Sequence, residues 1–173
     1  MKAAFVVQPN MVRIEDRPIP SVGPGDVLVK MRACGVCGTD IEKVRGHHIT
    51  PPMLGHEVVG RITDVGEEVE GFHAGDRVFV HHHVPCYVCH YCRRGDHTMC
   101  ASFANTTIEP CGFAEYFKVP RTSVERGAVL NLPSKISDEE ATLIEPTACC
   151  IRGLSKARIR PGDDFMVVGC GPI

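Results

Sequence analysis

Four cysteines fall within one short stretch, Cys86, Cys89, Cys92 and Cys100, with two, two and seven residues between them. Tetrahedral zinc takes four soft ligands at about 2.3 Å, and short Cys spacings let a single loop wrap the ion. A disulfide reading is disfavoured, because thiols two residues apart are crowded for good disulfide geometry. His90 and His97 lie inside the loop and read as solvated loop residues. Four thiolates leave no open position, so the expected site is closed and stabilises folding without doing chemistry.

A second set of residues is more dispersed. It comprises Cys34-Gly-Val-Cys37-Gly-Thr-Asp40, Gly55-His56-Glu57 and Glu145-Pro146. A catalytic zinc needs about three protein ligands and a position open to water or substrate. Cys37, His56 and a carboxylate would supply them. Taken singly, each residue has a bland reading: a Cys is usually a small buried hydrophobe, and a Glu is usually solvated. The pieces gain meaning only together. His81-His82-His83 precedes the four-Cys loop. Neighbours on a strand point to opposite faces, so the expected reading is one histidine facing the core and no metal.

These residues must be carried on folded elements. Ala3 to Val7 is a short apolar run. Asp26 to Ala33 places Val27, Val29 and Met31 on one face, a β pattern. Val58–Val65, Arg77–Val80 and Gly112–Val119 follow as strands, with Phe113 and Phe117 sharing a face of the last. Turns of related form precede several of them: Gly23-Pro-Gly-Asp26, Ala74-Gly-Asp76 and Pro161-Gly-Asp163. Many short strands with Gly/Pro turns predict a mainly β domain with helices, built as a partly closed barrel. Ser137-Asp-Glu-Glu140 matches a capping box, opening a helix that continues through Ile144. Pro146 suits the first turn of a second helix ending near Ala157. Phe165–Val168 then reads as a strand followed by Gly169-Cys-Gly171, the opening of a dinucleotide-binding fingerprint. The third Gly, the phosphate-binding helix and the later acidic residue do not follow, so the chain is expected to be one domain of a larger protein.

With 173 residues the chain can bury one sizeable core. The formal net charge of -2 argues against a nucleic-acid surface, and the basic residues form only short pairs such as Arg93-Arg94. No stretch approaches the roughly 20 apolar residues of a membrane span. The first seven residues are too short an apolar run for a secretory leader. Ten cysteines that are not organised as disulfides fit a reducing cytoplasm.

Gly35-Val-Cys37-Gly-Thr-Asp40, Gly55-His56-Glu57, the four-Cys loop and Glu145-Pro146 resemble, in order and approximate spacing, the zinc-dependent medium-chain alcohol dehydrogenases. Glu145-Pro146 stands where classical members place a third ligand Cys, which is similar to the sorbitol and threonine dehydrogenase branch. The resemblance implies a GroES-like zinc-binding catalytic domain over residues 1–150, with residues 151–173 beginning a Rossmann domain. It implies that Cys37 and His56 ligate a catalytic zinc, and that Glu57 and Glu145 do so directly or through water. Asp40 would fix the His56 tautomer, and Thr39 would relay the substrate proton. Cys149 and Cys150 compete with Glu145 as a soft ligand, but their place on a helix turns them elsewhere. Many relatives end the relay with His where this chain has Glu42, so either Glu42 is the base or the relay ends in solvent, with His47 and His48 nearby in sequence as substitutes. Gly46 to Pro52 would contribute to the substrate pocket.

The implied reaction is oxidation of a polyol, a sugar or another secondary alcohol such as the threonine hydroxyl. Hydride would pass to NAD or NADP, with Gly169 and Gly171 belonging to the cofactor site. The intact enzyme is expected to be a homo-oligomer that binds neither membrane nor nucleic acid. Competing expectations are an inactive, folded zinc-binding fragment and a zinc-ribbon interaction module. The charge balance and the second ligand set disfavour the ribbon.

Overall fold

The computed structural model describes residues 1–47 and 52–173. Among the described residues the chain is organised on a five-stranded antiparallel sheet. Its strands are β3 (Val27–Gly35), β4 (Glu57–Val65), β5 (Arg77–His81), β6 (Tyr116–Val119) and β7 (Val129–Asn131), in the order β6-β3-β4-β5-β7. The sheet does not close on itself. A two-stranded sheet of β1 (Lys2–Gln8) and β2 (Met11–Asp16) joins it through isolated bridges, Ala3 to Ala114 and Phe5 to Met53.

Period-two alternation sorts the strand residues onto two faces. Val27, Val29, Val58, Ile62, Val78, Val80, Phe117 and Val119 make the main core. Val59 and Phe79 point the other way and pack on Ala141 of a short helix, α5 (Asp138–Thr142). The central strands are therefore buried on both faces, with each fully buried Val contributing about 1.5–3 kcal/mol. Arg77 fixes α5 from the end of β5, its guanidinium donating to Asp138 Oδ1 at 2.8 and 3.0 Å and to the Ile136 carbonyl.

The three predicted turns share one device. Asp26, Asp76 and Asp163 each accept the backbone N–H of the residue three positions earlier, at 2.8 to 3.0 Å. The remaining helices are α1 (Gly38–Arg45), α2 (His90–Arg93), α3 (Ala101–Asn105), α4 (Arg121–Glu125) and α6 (Ile144–Ala157), with a 3-10 turn at His97–Met99. The capping box is present: Ser137 Oγ accepts the Glu140 N–H and Glu140 Oε2 accepts the Ser137 N–H. The first helix stops at Thr142, and α6 carries Pro146 in its first turn and ends at Ala157.

Two strand expectations change. The Gly112–Val119 strand begins only at Tyr116, because residues 112–115 bond instead to β1 and to the segment before His56: the Phe113 N–H to Leu54 O, and the Ala4 N–H to Phe113 O. Phe113 therefore does not share a strand face with Phe117. Residues 165–168 form no strand among the described residues and stand 63–89% exposed. A strand is made by its partner's hydrogen bonds, and among the described residues none pairs with this segment. No helix among the described residues is long and apolar enough to cross a membrane.

Candidate metal centre

Antiparallel pairing of β4 with both neighbours brings the dispersed residues together. Gly35 pairs with Glu57 across β3 and β4, and Glu57 pairs with His81 across β4 and β5. The chain leaves β3 at Gly35, turns through Cys37 and enters α1. Cys37 is the N-cap of that helix. The capping is done by Asp40, whose Oδ2 accepts the Cys37 N–H at 3.0 Å. Asp40 Oδ1 accepts the Gly55 N–H at 2.8 Å and lies 3.7 Å from His56 Nδ1. One carboxylate, 4% exposed, thus holds the loop of Cys37 to the segment of His56.

Cys37, His56 and Glu57 each offer a ligand atom, and these atoms lie within 4.8 Å of one another. Burial disfavours a charge on His56, but Asp40 and then Cys37 outweigh it and hold the imidazole up at about 9. Asp40 is lowered: burial opposes ionisation, and His56 together with the Gly55 and Cys37 N–H groups overcomes it. Burial pushes the Glu57 carboxyl upward. A soft sulfur, an imidazole and a buried carboxylate in one cluster suit a divalent transition metal such as zinc.

The second cluster is the four-thiol loop. Cys86, Cys89, Cys92 and Cys100 also place their ligand atoms within 4.8 Å of one another. The Cys89 and Cys92 sulfurs are 3.5 Å apart, and those of Cys86 and Cys92 are 3.9 Å apart. Tetrahedral Zn–S bonds of about 2.3 Å require S···S separations of about 3.8 Å, far from the 2.05 Å of a disulfide. The backbone N–H of Cys86 points at Cys100 Sγ and helps hold that thiol down at about 6, while burial pushes Cys92 up to about 12. The donor set fits a tetrahedral metal. His90 is exposed, His97 stacks edge-on with Tyr87, and neither joins the cluster.

The other predicted residues are placed as follows. Glu145, in the first turn of α6, is half-buried and stands outside the Cys37–His56–Glu57 cluster. Its charge is close enough to Glu57 to help raise that carboxyl, and its Oε1 accepts from Cys149 Sγ at 3.4 Å. Cys149 is exposed, and neither it nor Cys150 joins the cluster. Thr39 is exposed at the start of α1. Glu42 turns away from this cluster, bonding Arg45 at 3.0 Å and His47 at 2.5 Å. His48 and most of the Gly46–Pro52 segment lie outside the described residues. Gly169 and Gly171 are exposed in the segment after α6.

The histidine run departs from its expected reading. Only His81 lies within β5, so strand alternation does not separate the three. The His82 ring centre is 4.8 Å from that of His56 and 4.0 Å from that of His83. The Glu57–His81 pairing puts them there, and that long-range register could not be read from the run itself. Burial, then the neighbouring His83 and His56, drives His82 down to about 2.

Residues 23–129 match the alcohol dehydrogenase GroES-like domain family. The chain belongs to that family. It is 37% identical over 175 residues to D-arabinitol dehydrogenase 1 of Uromyces fabae, which covers 99% of this chain and 48% of that protein. It is 34% identical over 182 residues to L-threonine 3-dehydrogenase of Pectobacterium atrosepticum, covering 100% of this chain and 48% of the relative. A solved protein of Sinorhizobium meliloti 1021, described as a zinc-binding dehydrogenase and bound to NADP, superposes with a TM-score of 0.75 at 31% identity. That match covers 90% of this chain and 45% of the other. The chain spans about half the length of the curated relatives it matches.

Proposed function

We propose that this chain is the metal-binding catalytic part of a zinc-dependent dehydrogenase that oxidises a polyol or another secondary alcohol with NAD or NADP. The observation that carries the reading is the convergence of Cys37, His56 and Glu57 at one end of the sheet, separate from the four-thiol loop. Cys37, His56 and Glu57 would hold a catalytic zinc with Glu145 at its flank, and Cys86, Cys89, Cys92 and Cys100 a structural one. Zinc at the first site supplies Lewis acidity that makes a substrate hydroxyl easier to deprotonate. Asp40 orients His56 and ties its segment to that of Cys37. Thr39, two residues after Cys37 and open to solvent, is the hydroxyl assigned to pass the substrate proton outward. Glu42, with His47 bonded to it, is assigned the solvent end of that relay.

Residues 1–150 are assigned to the catalytic domain and 151–173 to the beginning of the nucleotide-binding domain, where Gly169 and Gly171 would approach the cofactor phosphates. The polyol and threonine dehydrogenases among the relatives support the substrate class. Cytoplasmic residence and assembly as a homo-oligomer belong to the same proposal. Metal analysis of wild type, Cys37→Ser and Cys92→Ser tests the two sites, with one ion expected to disappear in each variant. Nicotinamide reduction by the intact protein over a panel of polyols and amino alcohols tests the reaction. Full metal content in Cys37→Ser, or no turnover of any panel member, would sink the reading.

A further inference from the structure

Three histidines stand beside the candidate catalytic site, and two of them are accounted for. His81 Nδ1 accepts the backbone N–H of His83 at 3.2 Å. His83 Nδ1 bonds the Thr106 carbonyl and must carry the proton to do so. His82 is different. Its Nδ1 is sealed from solvent and is the one buried side-chain nitrogen or oxygen among the described residues without a hydrogen-bond partner. Its Nε2 is not among the sealed atoms. A sealed nitrogen with no acceptor nearby costs more as an N–H than as a bare lone pair, because orphaned buried donors are the rarer case. The ring therefore carries its proton on Nε2 and presents an N–H donor at its open edge.

The ring that carries this donor lies beside the metal cluster. The His82 and His56 ring centres are 4.8 Å apart, with the rings tilted by 47°. An alcohol held beside His56 would have its next carbon, and any oxygen on it, within reach of the His82 ring. We propose that His82 is a specificity-determining residue whose Nε2–H donates to a second hydroxyl, on the carbon next to the one oxidised, so that the site selects vicinal diols over simple alcohols. This rests on the dehydrogenase reading above and narrows its substrate class. A purely space-filling His82 would support packing without distinguishing the two kinds of alcohol.

The test uses protein loaded with cobalt(II), whose visible d–d bands report oxygen ligands at the catalytic position without any turnover. 2,3-Butanediol and 2-butanol are titrated into wild type, His82→Phe and His82→Gln. One neutral hydrogen bond predicts that wild type binds the diol about 10-fold more tightly than the mono-alcohol. His82→Phe should bring the two within about 2-fold, and His82→Gln, which restores an N–H donor, should recover part of the preference. In parallel, the His82 Nε2 resonance of the zinc-loaded wild type should move with the diol and not with 2-butanol, a readout that needs no variant to fold. A diol preference that survives His82→Phe, or an Nε2 resonance indifferent to the diol, overturns the assignment of His82 alone. Bands that neither alcohol perturbs in wild type overturn the alcohol site itself and the role of His82 with it.

Discussion

The carboxylate of Glu57 occupies the space in which a side chain at Gly35 would stand: a Cβ built on Gly35 would lie 1.8 Å from Glu57 Oε2. The two residues are paired across β3 and β4, so the missing side chain on one strand makes room for the carboxylate of the candidate metal site on the next. Gly35→Ala should push the Glu57 carboxylate out of the cluster with Cys37 and His56. The moving part is the far end of a flexible side chain, so the fold should lose about 1 kcal/mol or less. Metal affinity at that site should fall by about 10- to 100-fold. Chelator competition read beside thermal unfolding checks it, and a folded variant with unchanged metal affinity would contradict it.

The two glutamates should not be equivalent. Glu57 shares the donor cluster and Glu145 stands outside it. Glu145→Ala should weaken zinc binding by about 10- to 100-fold, the range for supporting groups, and Glu57→Ala should weaken it further. Zinc titration of both variants against a chromophoric chelator reads the order directly. Equal losses would place Glu145 among the direct ligands.

Cys92→Ser should act chiefly on the fold, with the ion at Cys37, His56 and Glu57 retained. Cys92 is 6% exposed and its sulfur lies within 4 Å of two others. Losing the ion these thiols would share should cost at least about 3 kcal/mol, a drop in the unfolding midpoint of roughly 6–12 °C for a chain of this size. Calorimetry with metal analysis distinguishes this from Cys37→Ser, which should lose metal with a smaller drop.

Asp26 should make part of the stability depend on pH. Burial opposes its ionisation, but the Gly23 and Arg121 N–H groups, at 3.0 and 2.8 Å, and Lys118 lower its carboxyl below the usual value. A depressed carboxyl contributes stability that is complete above its unfolded pKa and is lost as pH falls through the folded one. Denaturant unfolding from pH 6 to pH 3 should therefore be steeper in wild type than in Asp26→Asn. At neutral pH the variant should be about 1–2 kcal/mol less stable, because an amide accepts those bonds less well.

Features settled by neighbours in the chain were legible in the sequence. Ser137 and Glu140 exchange bonds three residues apart, and the turn aspartates do the same, so spacing alone revealed them. The four thiols lie in one loop and were equally plain. β2 has no buried residue, so it carries no alternation to read. α1 is capped by Asp40 behind a cysteine, outside the usual Ser, Thr, Asp or Asn signal at the cap itself. The meeting of Gly35, Glu57 and His81–His83 depends on strand register, which long-range pairing decides. The exposure of residues 165–168 depends on a partner strand, which no local pattern supplies.

The helix α6 is gripped at a distance from the residue that matters on it. Arg152 donates to the Gly95 carbonyl at 3.3 Å, and Lys156 pairs with Asp96, both in the four-thiol loop. Glu145 lies about two helical turns away, some 10 Å along the axis. The helix is in effect a lever, with the sulfur loop holding one arm and the flank of the Cys37–His56–Glu57 cluster meeting the other. A loop displaced by loss of its own ion would swing Glu145 out of place without touching Cys37 or His56. Loss of the loop's ion should then leave Cys37, His56 and Glu57 to hold their own ion without Glu145 beside it, more weakly but still bound, so the two clusters, though they share no atom, are coupled through α6.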